Sequence, residues 1–317
     1  MIKWGILGAG NIAKRFAQSL TYEEDAVLYA ISGRNPEKLQ VFQQEHPSEK
    51  VYIGHENLLR DPNIDAIYVS LPHDMHFEWV CKAMDAHKAV LCEKPAVLNE
   101  KEMQGIMAAS YQNHTLFMEA MKSRFEPAYR KAKELLQENA IGDILSVKAQ
   151  ISSVLPKEKY GTSYITKPVV GGALLDTGCY CVNWVNDLLK EEPIIKSVSS
   201  HLVDSVDYFV DATMQFGSVE AEVIAGIDRK MDPLVEIVGT KGTMIIEKPH
   251  RPDRIHLLSY GKEEILDFPY IHDDFYGQIH HFDELIKKNM SESDVMSLQD
   301  SLRNAHIMDL IKYSMHH

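Results

Sequence analysis

Three short stretches carry residue types and spacings suited to chemistry. The first is Gly8-Ala9-Gly10-Asn11-Ile12-Ala13, directly after an apolar run and at the start of an amphipathic one. In a strand-to-helix turn Gly8 permits the tight bend, Gly10 lets backbone approach a pyrophosphate, and Ala13 stands where helix and strand pack closely. The N–H groups of Asn11 and Ile12 then open a helix whose dipole favours phosphate. The second stretch, Cys92-Glu93-Lys94-Pro95, follows another apolar run. An ammonium there can hydrogen-bond a reacting oxygen and lower the pKa of a neighbouring phenol; the alternative is a surface lysine before a proline. The third, Gly171-Gly172-Ala173-Leu174-Leu175-Asp176-Thr177-Gly178-Cys179-Tyr180, leads into a helical pattern. Asp176 and Tyr180 are four residues apart and share a helix face, so Tyr180 could exchange a proton while Asp176 binds a substrate hydroxyl. Since a phenol has a pKa of roughly 10, Tyr180 needs Lys94 and a cationic nicotinamide ring nearby. Without them it reads as a buried tyrosine satisfying a structural hydrogen bond.

Cofactor type is read at the end of the second apolar run, Ala30-Ile31-Ser32-Gly33-Arg34. The acid that would bind a ribose 2′-hydroxyl is missing, whereas Ser32 and Arg34 suit a 2′-phosphate, so NADP is expected ahead of NAD. Arg34 otherwise reads as a solvated loop arginine. In Leu71-Pro72-His73-Asp74-Met75-His76, His76 either caps the following helix or lines the cofactor site.

These stretches need a frame. From Met1 to about residue 122, β-branched runs at Ile2–Leu7, Ala26–Ser32, Ala66–Leu71, Ala89–Glu93 and Thr115–Glu119, with a shorter one at Val51–Ile53, alternate with helical patterns. That predicts a doubly wound parallel sheet of Rossmann type. Residues 123–317 read differently, and are expected to form an α/β domain with a mainly antiparallel sheet for substrate binding and oligomerisation. Helices are expected at Ala128–Glu138, Ala173–Leu189, Phe275–Lys288 and Ser297–Tyr313, and strands at Ile144–Ser153, Val206–Phe216, Glu220–Gly226, Leu234–Val238 and Thr243–Ile246. The stretches Pro156–Val170 and Asp228–Pro233 read as loops that choose the substrate.

A chain of 317 residues, 45% hydrophobic, has room for two cores. A net charge of −13 argues against broad association with nucleic acid or anionic membrane. The N-terminus reads without an export signal and no apolar run reaches membrane length, so a cytoplasmic location is expected. Cys81, Cys92, Cys179 and Cys181 contain no C-x-x-C pair and the 15 histidines no metal spacing, so reduced thiols and no metal are expected.

Together, Gly8-x-Gly10-x-x-Ala13, Glu93-Lys94-Pro95 and Gly172-Ala-Leu-Leu-Asp176-x-Gly-x-Tyr180 resemble the Gfo/Idh/MocA oxidoreductase family. Met118-Glu119-Ala120, Arg124-Phe125 and Val238-Gly239-Thr240-Lys241-Gly242-Thr243 extend the resemblance across nearly the whole chain. It implies a Rossmann domain joined to an α/β domain with an open antiparallel sheet, nicotinamide between them, and a homodimer or homotetramer assembled through that sheet. It also implies Lys94 and Tyr180 as catalytic pair, Asp176 near the substrate, and Leu71, Pro72 and Glu93 beside the cofactor. Inositol-dehydrogenase-like members carry His at the position of Tyr180. The chain is thereby more similar to the branch containing dihydrodiol dehydrogenases, xylose dehydrogenases and glucose–fructose oxidoreductase. Lys122 stands where dihydrodiol dehydrogenases carry a substrate-side Trp, so either it favours a polar or anionic ligand or it turns to solvent. The expected reaction is hydride transfer between nicotinamide and a hydroxyl-bearing carbon of a sugar, polyol or diol. The alternatives are a glucose–fructose oxidoreductase-like cycle with retained cofactor and a non-catalytic NAD(P)-binding regulator.

Overall fold

The computed structural model describes residues Met1–Met315. Its N-terminal part alternates strand and helix: β1 (Ile2–Leu7), α1 (Asn11–Leu20), β2 (Ala26–Gly33), α2 (Pro36–Glu45), β3 (Lys50–Ile53), α3 (Glu56–Leu59), β4 (Ala66–Val69), α4 (His73–Asp85), β5 (Ala89–Glu93), α5 (Glu100–Asn113) and β6 (Phe117–Ala120). The strands form one parallel sheet in the order β3-β2-β1-β4-β5-β6. Chain order reverses on the two sides of β1, which makes the carboxyl ends of β1 and β4 the topological switch point where ligands of such sheets bind. Local chemistry explains the helix starts. The Asn35 side chain accepts from the Lys38 amide at 2.7 Å and Pro36 occupies the first turn of α2, whereas Gly10 starts α1 with no side-chain cap.

The later elements are α6 (Pro127–Gln137), β7 (Ile144–Val154), α7 (Cys179–Leu189), β8 (Pro193–Val203), β9 (Val206–Phe216), β10 (Val219–Gly226), β11 (Asp228–Gly239), β12 (Gly242–Glu247), β13 (Arg254–Ser259), β14 (Lys262–Asp267), α8 (Tyr276–Lys287) and α9 (Leu298–Met315). The eight strands make a second sheet in the order β14-β13-β12-β11-β7-β10-β9-β8, antiparallel except for the β7–β10 pair. Strands β8, β13 and β14 add to those read from the sequence. Asp228–Pro233 is not a loop: it is the first half of β11, with register shifts between Asp228 and Met231 and between Met231 and Leu234. A bulged strand containing a proline loses the simple alternation that marks strands. Pro156–Val170 does lack regular strand or α-helix, holding short 3₁₀ turns at Lys157–Lys159 and Tyr164–Thr166.

The chain divides into two compact units. One comprises Met1–Val97, Lys101–Lys122 and Ile271–Ser301; the other comprises Leu98–Glu100, Ser123–Tyr270 and Leu302 onward. The segment Ile271–Ser301, read from the sequence as part of the C-terminal domain, therefore groups with the first sheet. Within that first unit the Trp4 indole donates to Asp283 of α8 at 3.0 Å, and Trp4 packs against Phe282 with ring centroids 5.3 Å apart. On the other side Trp4 meets Phe16, which stacks on Tyr68 at 3.8 Å. All three rings are fully buried or nearly so, and they join β1, α1 and β4 into one apolar core. In the second unit Trp184 of α7 packs on Tyr129 of α6 at 3.9 Å.

Candidate active site

The turn after β1 leaves open backbone at the carboxyl edge of the first sheet. Gly8 adopts φ +103°, and a Cβ there would lie 2.8 Å from the Ser70 carbonyl oxygen, so any side chain is excluded by conformation and space alike. Gly10 is different: its φ is −86°, and a Cβ would meet nothing within 4 Å. Neither an acidic side chain in the first turn nor a side-chain cap occupies the start of α1. Asn11 and Ile12 are exposed there, while Ala13 is fully buried against the sheet. An uncapped helix start beside empty space fits a dinucleotide pyrophosphate.

The same edge carries the other first-unit candidates. Arg34, after β2, is exposed, as is Pro72 after β4; Leu71, Glu93 and Lys94 are half-buried. The Lys94–Pro95 peptide is cis. Tyr68 donates its hydroxyl hydrogen bond to Glu93, and the Lys94 amide reaches the other carboxylate oxygen at 3.3 Å. Burial pushes the Glu93 carboxyl above its usual range, against the opposing effects of Tyr68, Lys94 and Lys122.

Two candidates are corrected by burial. The Ser32 side chain is fully buried, with its hydroxyl donating to the Ile6 carbonyl at 3.3 Å and lying 2.7 Å from Nδ1 of His55, so it does not face a 2′-phosphate. His76 is likewise fully buried, Nδ1 lying 2.9 Å from the Pro95 carbonyl oxygen and Nε2 2.8 Å from that of Leu71. Two carbonyl acceptors would favour a doubly protonated ring, but burial is the larger effect and lowers the pKa. The neutral ring gives its single N–H to one of them. His76 thus braces the loop after β4 against the loop after β5 and presents no atom to a ligand.

Lys122 follows neither of its sequence readings. Its ammonium is buried in an ion pair with Asp274 and lies 5.0 Å from the Phe275 ring centre, while Arg15 pairs with the same carboxylate. Burial draws its pKa down, against the pull of Asp274. Asp187 is buried as well: it accepts from Tyr129 at 2.8 Å and from Lys133 at 2.7 Å, with Arg124 at 3.7 Å.

In the second unit, Leu174–Gly178 is a π-helical turn that runs into α7. The four-residue spacing of Asp176 and Tyr180 therefore spans a widened turn, a local geometry frequent at functional sites. Asp176 is half-buried and accepts from the Tyr164 hydroxyl at 3.3 Å. Tyr180 is buried, its ring 6.0 Å from that of His250. The sequence reading missed Asp207 of β9, which accepts from the Leu174 amide at 2.7 Å. Asp207 falls in the alternation of β9 on the less buried face with Phe209, Asp211 and Thr213, so the sequence pattern did not set it apart.

A parallel sheet of this order with a glycine turn after its first strand defines a dinucleotide-binding protein of Rossmann type. The family model described as "Oxidoreductase family, NAD-binding Rossmann fold" of the Gfo/Idh/MocA group matches residues 2–121, and the Gfo/Idh/MocA C-terminal domain matches residues 129–245. The chain belongs to this oxidoreductase family. It is 33% identical to trans-1,2-dihydrobenzene-1,2-diol dehydrogenase of Xenopus tropicalis over 97% of this chain and 96% of that one. It is 29% identical to the NADP(+)-dependent scyllo-inositol 2-dehydrogenase of Bacillus subtilis over 98% and 95%. Among solved structures, a 3-ketoreductase from Actinomadura kijaniata in complex with NADP and TDP-benzene is 25% identical, with a TM-score of 0.89 over 99% of this chain and 97% of that one. Among the described residues, no helix is long and apolar enough to cross a membrane, and no group of three or more His, Cys, Asp or Glu could hold a metal ion.

Proposed function

We propose that this oxidoreductase prefers NADP to NAD and transfers hydride to or from a hydroxyl-bearing carbon of a sugar, polyol or related diol, with Lys94, Asp176 and Tyr180 carrying the chemistry. The observation that carries this reading is the open, uncapped Gly10 turn at the same sheet edge as half-buried Lys94. The cofactor is held by Gly8, Gly10, Asn11 and Ile12 at the pyrophosphate, with Leu71, Pro72, Glu93 and Lys94 along the edge. Arg34, exposed just after β2, meets the 2′-phosphate. An NADP(+)-dependent inositol dehydrogenase and a ketoreductase bound to NADP among the similar proteins support that preference. Dihydrodiol, inositol and ketoreductase relatives support a secondary alcohol or its ketone as the reacting group.

When bound, nicotinamide supplies the two-electron acceptor or donor. Tyr180 takes the hydroxyl proton in oxidation and returns it in reduction, Lys94 stabilises the developing alkoxide, and Asp176 orients a second substrate hydroxyl. We further assign residues 123–270 to substrate binding and to assembly of a homodimer or homotetramer through the eight-stranded sheet, and a cytoplasmic location in keeping with cysteines that all remain thiols.

Titration of the purified protein with NADPH and NADH tests the cofactor half. NADPH should bind more tightly, and Arg34→Ala should weaken NADPH about tenfold while leaving NADH nearly unchanged; equal losses would remove Arg34 from the phosphate site. With a substrate found by screening sugars, inositols and diols, Tyr180→Phe should lower kcat by about 100-fold or more with cofactor affinity retained. Wild-type turnover in that variant would overturn the assignment of Tyr180.

A further inference from the structure

We propose that Asp207 is a positioning residue whose buried carboxylate, seated in the space that Gly172 leaves free, holds the Leu174 amide at the start of the Asp176–Tyr180 turn and thereby sets where both side chains point. The inference rests on the reading of Asp176 and Tyr180 as site residues. Asp207 belongs to β9 and is 8% exposed. Its Oδ2 accepts from the Leu174 amide at 2.7 Å. A Cβ on Gly172 would fall 1.9 Å from Oδ1, and Gly172 itself stands at φ +106°. The glycine thus both makes the bend and admits the carboxylate. From there the turn is held by backbone, the Asp176 amide donating to the Gly172 carbonyl at 3.1 Å and the Thr177 hydroxyl to that of Ala173 at 3.2 Å.

A cap needed only for folding would not have to carry a charge in this place. Neutral Ser or Asn caps helices as well as Asp does, whereas burying an ionised carboxyl is costly. Burial raises the Asp207 carboxyl to about 6, with the Leu174 amide, its own backbone amide and the charge of Lys312 on α9 acting against the rise. At neutral pH the carboxylate is therefore ionised despite burial, and the bond it accepts from the Leu174 amide is charge-assisted, as one to a neutral amide oxygen in the same place would not be.

The test compares wild type with Asp207→Asn by hydrogen exchange over residues 173–177, thermal unfolding and the pH dependence of kcat. The expected variant exchanges these amides at least tenfold faster while distant amides keep their protection. Because the native pKa lies above the ordinary carboxylate value, the wild type loses stability as pH rises through about 6. The difference between variant and wild-type Tm should therefore move in the variant's favour from pH 5 to pH 8, even as its kcat falls about tenfold with cofactor affinity unchanged. Wild-type kcat should show an acid limb near pH 6 that the variant lacks. Unchanged exchange at 173–177 together with wild-type kcat across the pH range would overturn the proposal. Exchange is measured without substrate, so a Tyr180→Phe enzyme that still turns over would refute the assignment of Tyr180 while leaving the hold of Asp207 on the turn to be decided by exchange alone. If Asp207→Asn fails to fold, the wild-type protein suffices: while Asp207 stays in place, protonation weakens its bond to the Leu174 amide, so protection at 173–177 should drop below pH 6 even as global stability rises, and its constancy there would overturn the proposal.

Discussion

Two glycine turns introduce helices in this molecule, one in each compact unit, and they treat the unpaired amides of those helices in opposite ways. Gly8 and Gly172 have almost the same φ, +103° and +106°. Beyond Gly8, the start of α1 has no capping side chain and Gly10 borders empty space. At the second turn, the space beside Gly172 is filled by a carboxylate of the chain's own, Asp207, as the space beside Gly8 is by the Ser70 carbonyl. Each turn concentrates positive potential from backbone N–H groups. On the proposed reading, the first leaves it for an anionic ligand and the second neutralises it internally so that a fixed turn can present Asp176 and Tyr180. A glycine-rich turn before a helix is thus not by itself a phosphate site; the occupant of the space beside it decides.

The largest effect should come from filling the second turn. Gly172→Ala adds a Cβ at a positive φ and 1.9 Å from Asp207 Oδ1. A cost of about 3 kcal/mol is expected, or roughly 10 °C in Tm, whether or not cofactor is present. Calorimetry of the apo protein checks it; an unchanged Tm would mean that the bend tolerates a side chain and that the two turns are less alike than their angles. Gly10→Ala should behave in the reverse manner. With an ordinary φ and nothing within 4 Å, its methyl group leaves the apo Tm unchanged. It occupies the approach of the pyrophosphate, so NADPH affinity should fall by about 2 kcal/mol, roughly 30-fold. Isothermal titration separates the outcomes, and full affinity in the variant would place the ligand elsewhere.

The frame of the first unit was legible because its signals are local. Ile2–Leu7 and Ala89–Glu93 are apolar runs bounded by turns, and they are strands with those same limits. Strand β14, Lys-Glu-Glu-Ile-Leu-Asp, lies at a sheet edge, where charged residues are tolerated and the apolar pattern is weak. Strand β8 lies at the opposite edge and is exposed along much of its length. Grouping of Ile271–Ser301 with the first unit depends on Trp4–Asp283 and Lys122–Asp274, pairs separated by well over a hundred residues that no periodicity encodes. The glycine turns and the placement of Arg34 and Glu93-Lys94 at strand ends could be read from the sequence because backbone conformation and strand limits locate them. Ser32 and His76 could not be separated from ligand-facing residues, since only the tertiary partners His55, Leu71 and Pro95 reveal that their polar atoms are already engaged.

A third buried carboxylate sharpens the contrast further. Asp283 has no helix amides to hold; Oδ1 accepts the Trp4 indole N–H, and Oδ2 is buried without a hydrogen-bond partner. Burial raises its pKa to about 7, further than Asp207, whose amides pull the other way. The sign follows from proton linkage. With the native value above the ordinary 3.8, the native state retains the proton between about pH 4 and 7, so this contribution is full below pH 4 and is lost as pH rises through 7. Asp283→Asn keeps an acceptor for Trp4 and cannot ionise. Its Tm relative to wild type should improve between pH 5 and pH 8, with a gain near 8 of about 1 kcal/mol, or a few °C, smaller than the full linkage value because the amide N–H₂ inherits the unpaired site of Oδ2. Unfolding followed by tryptophan fluorescence at the two pH values checks this. A difference that does not change with pH would mean that Asp283 is ionised throughout, and that an indole N–H steadies a buried carboxylate as effectively as the amides of a helix start.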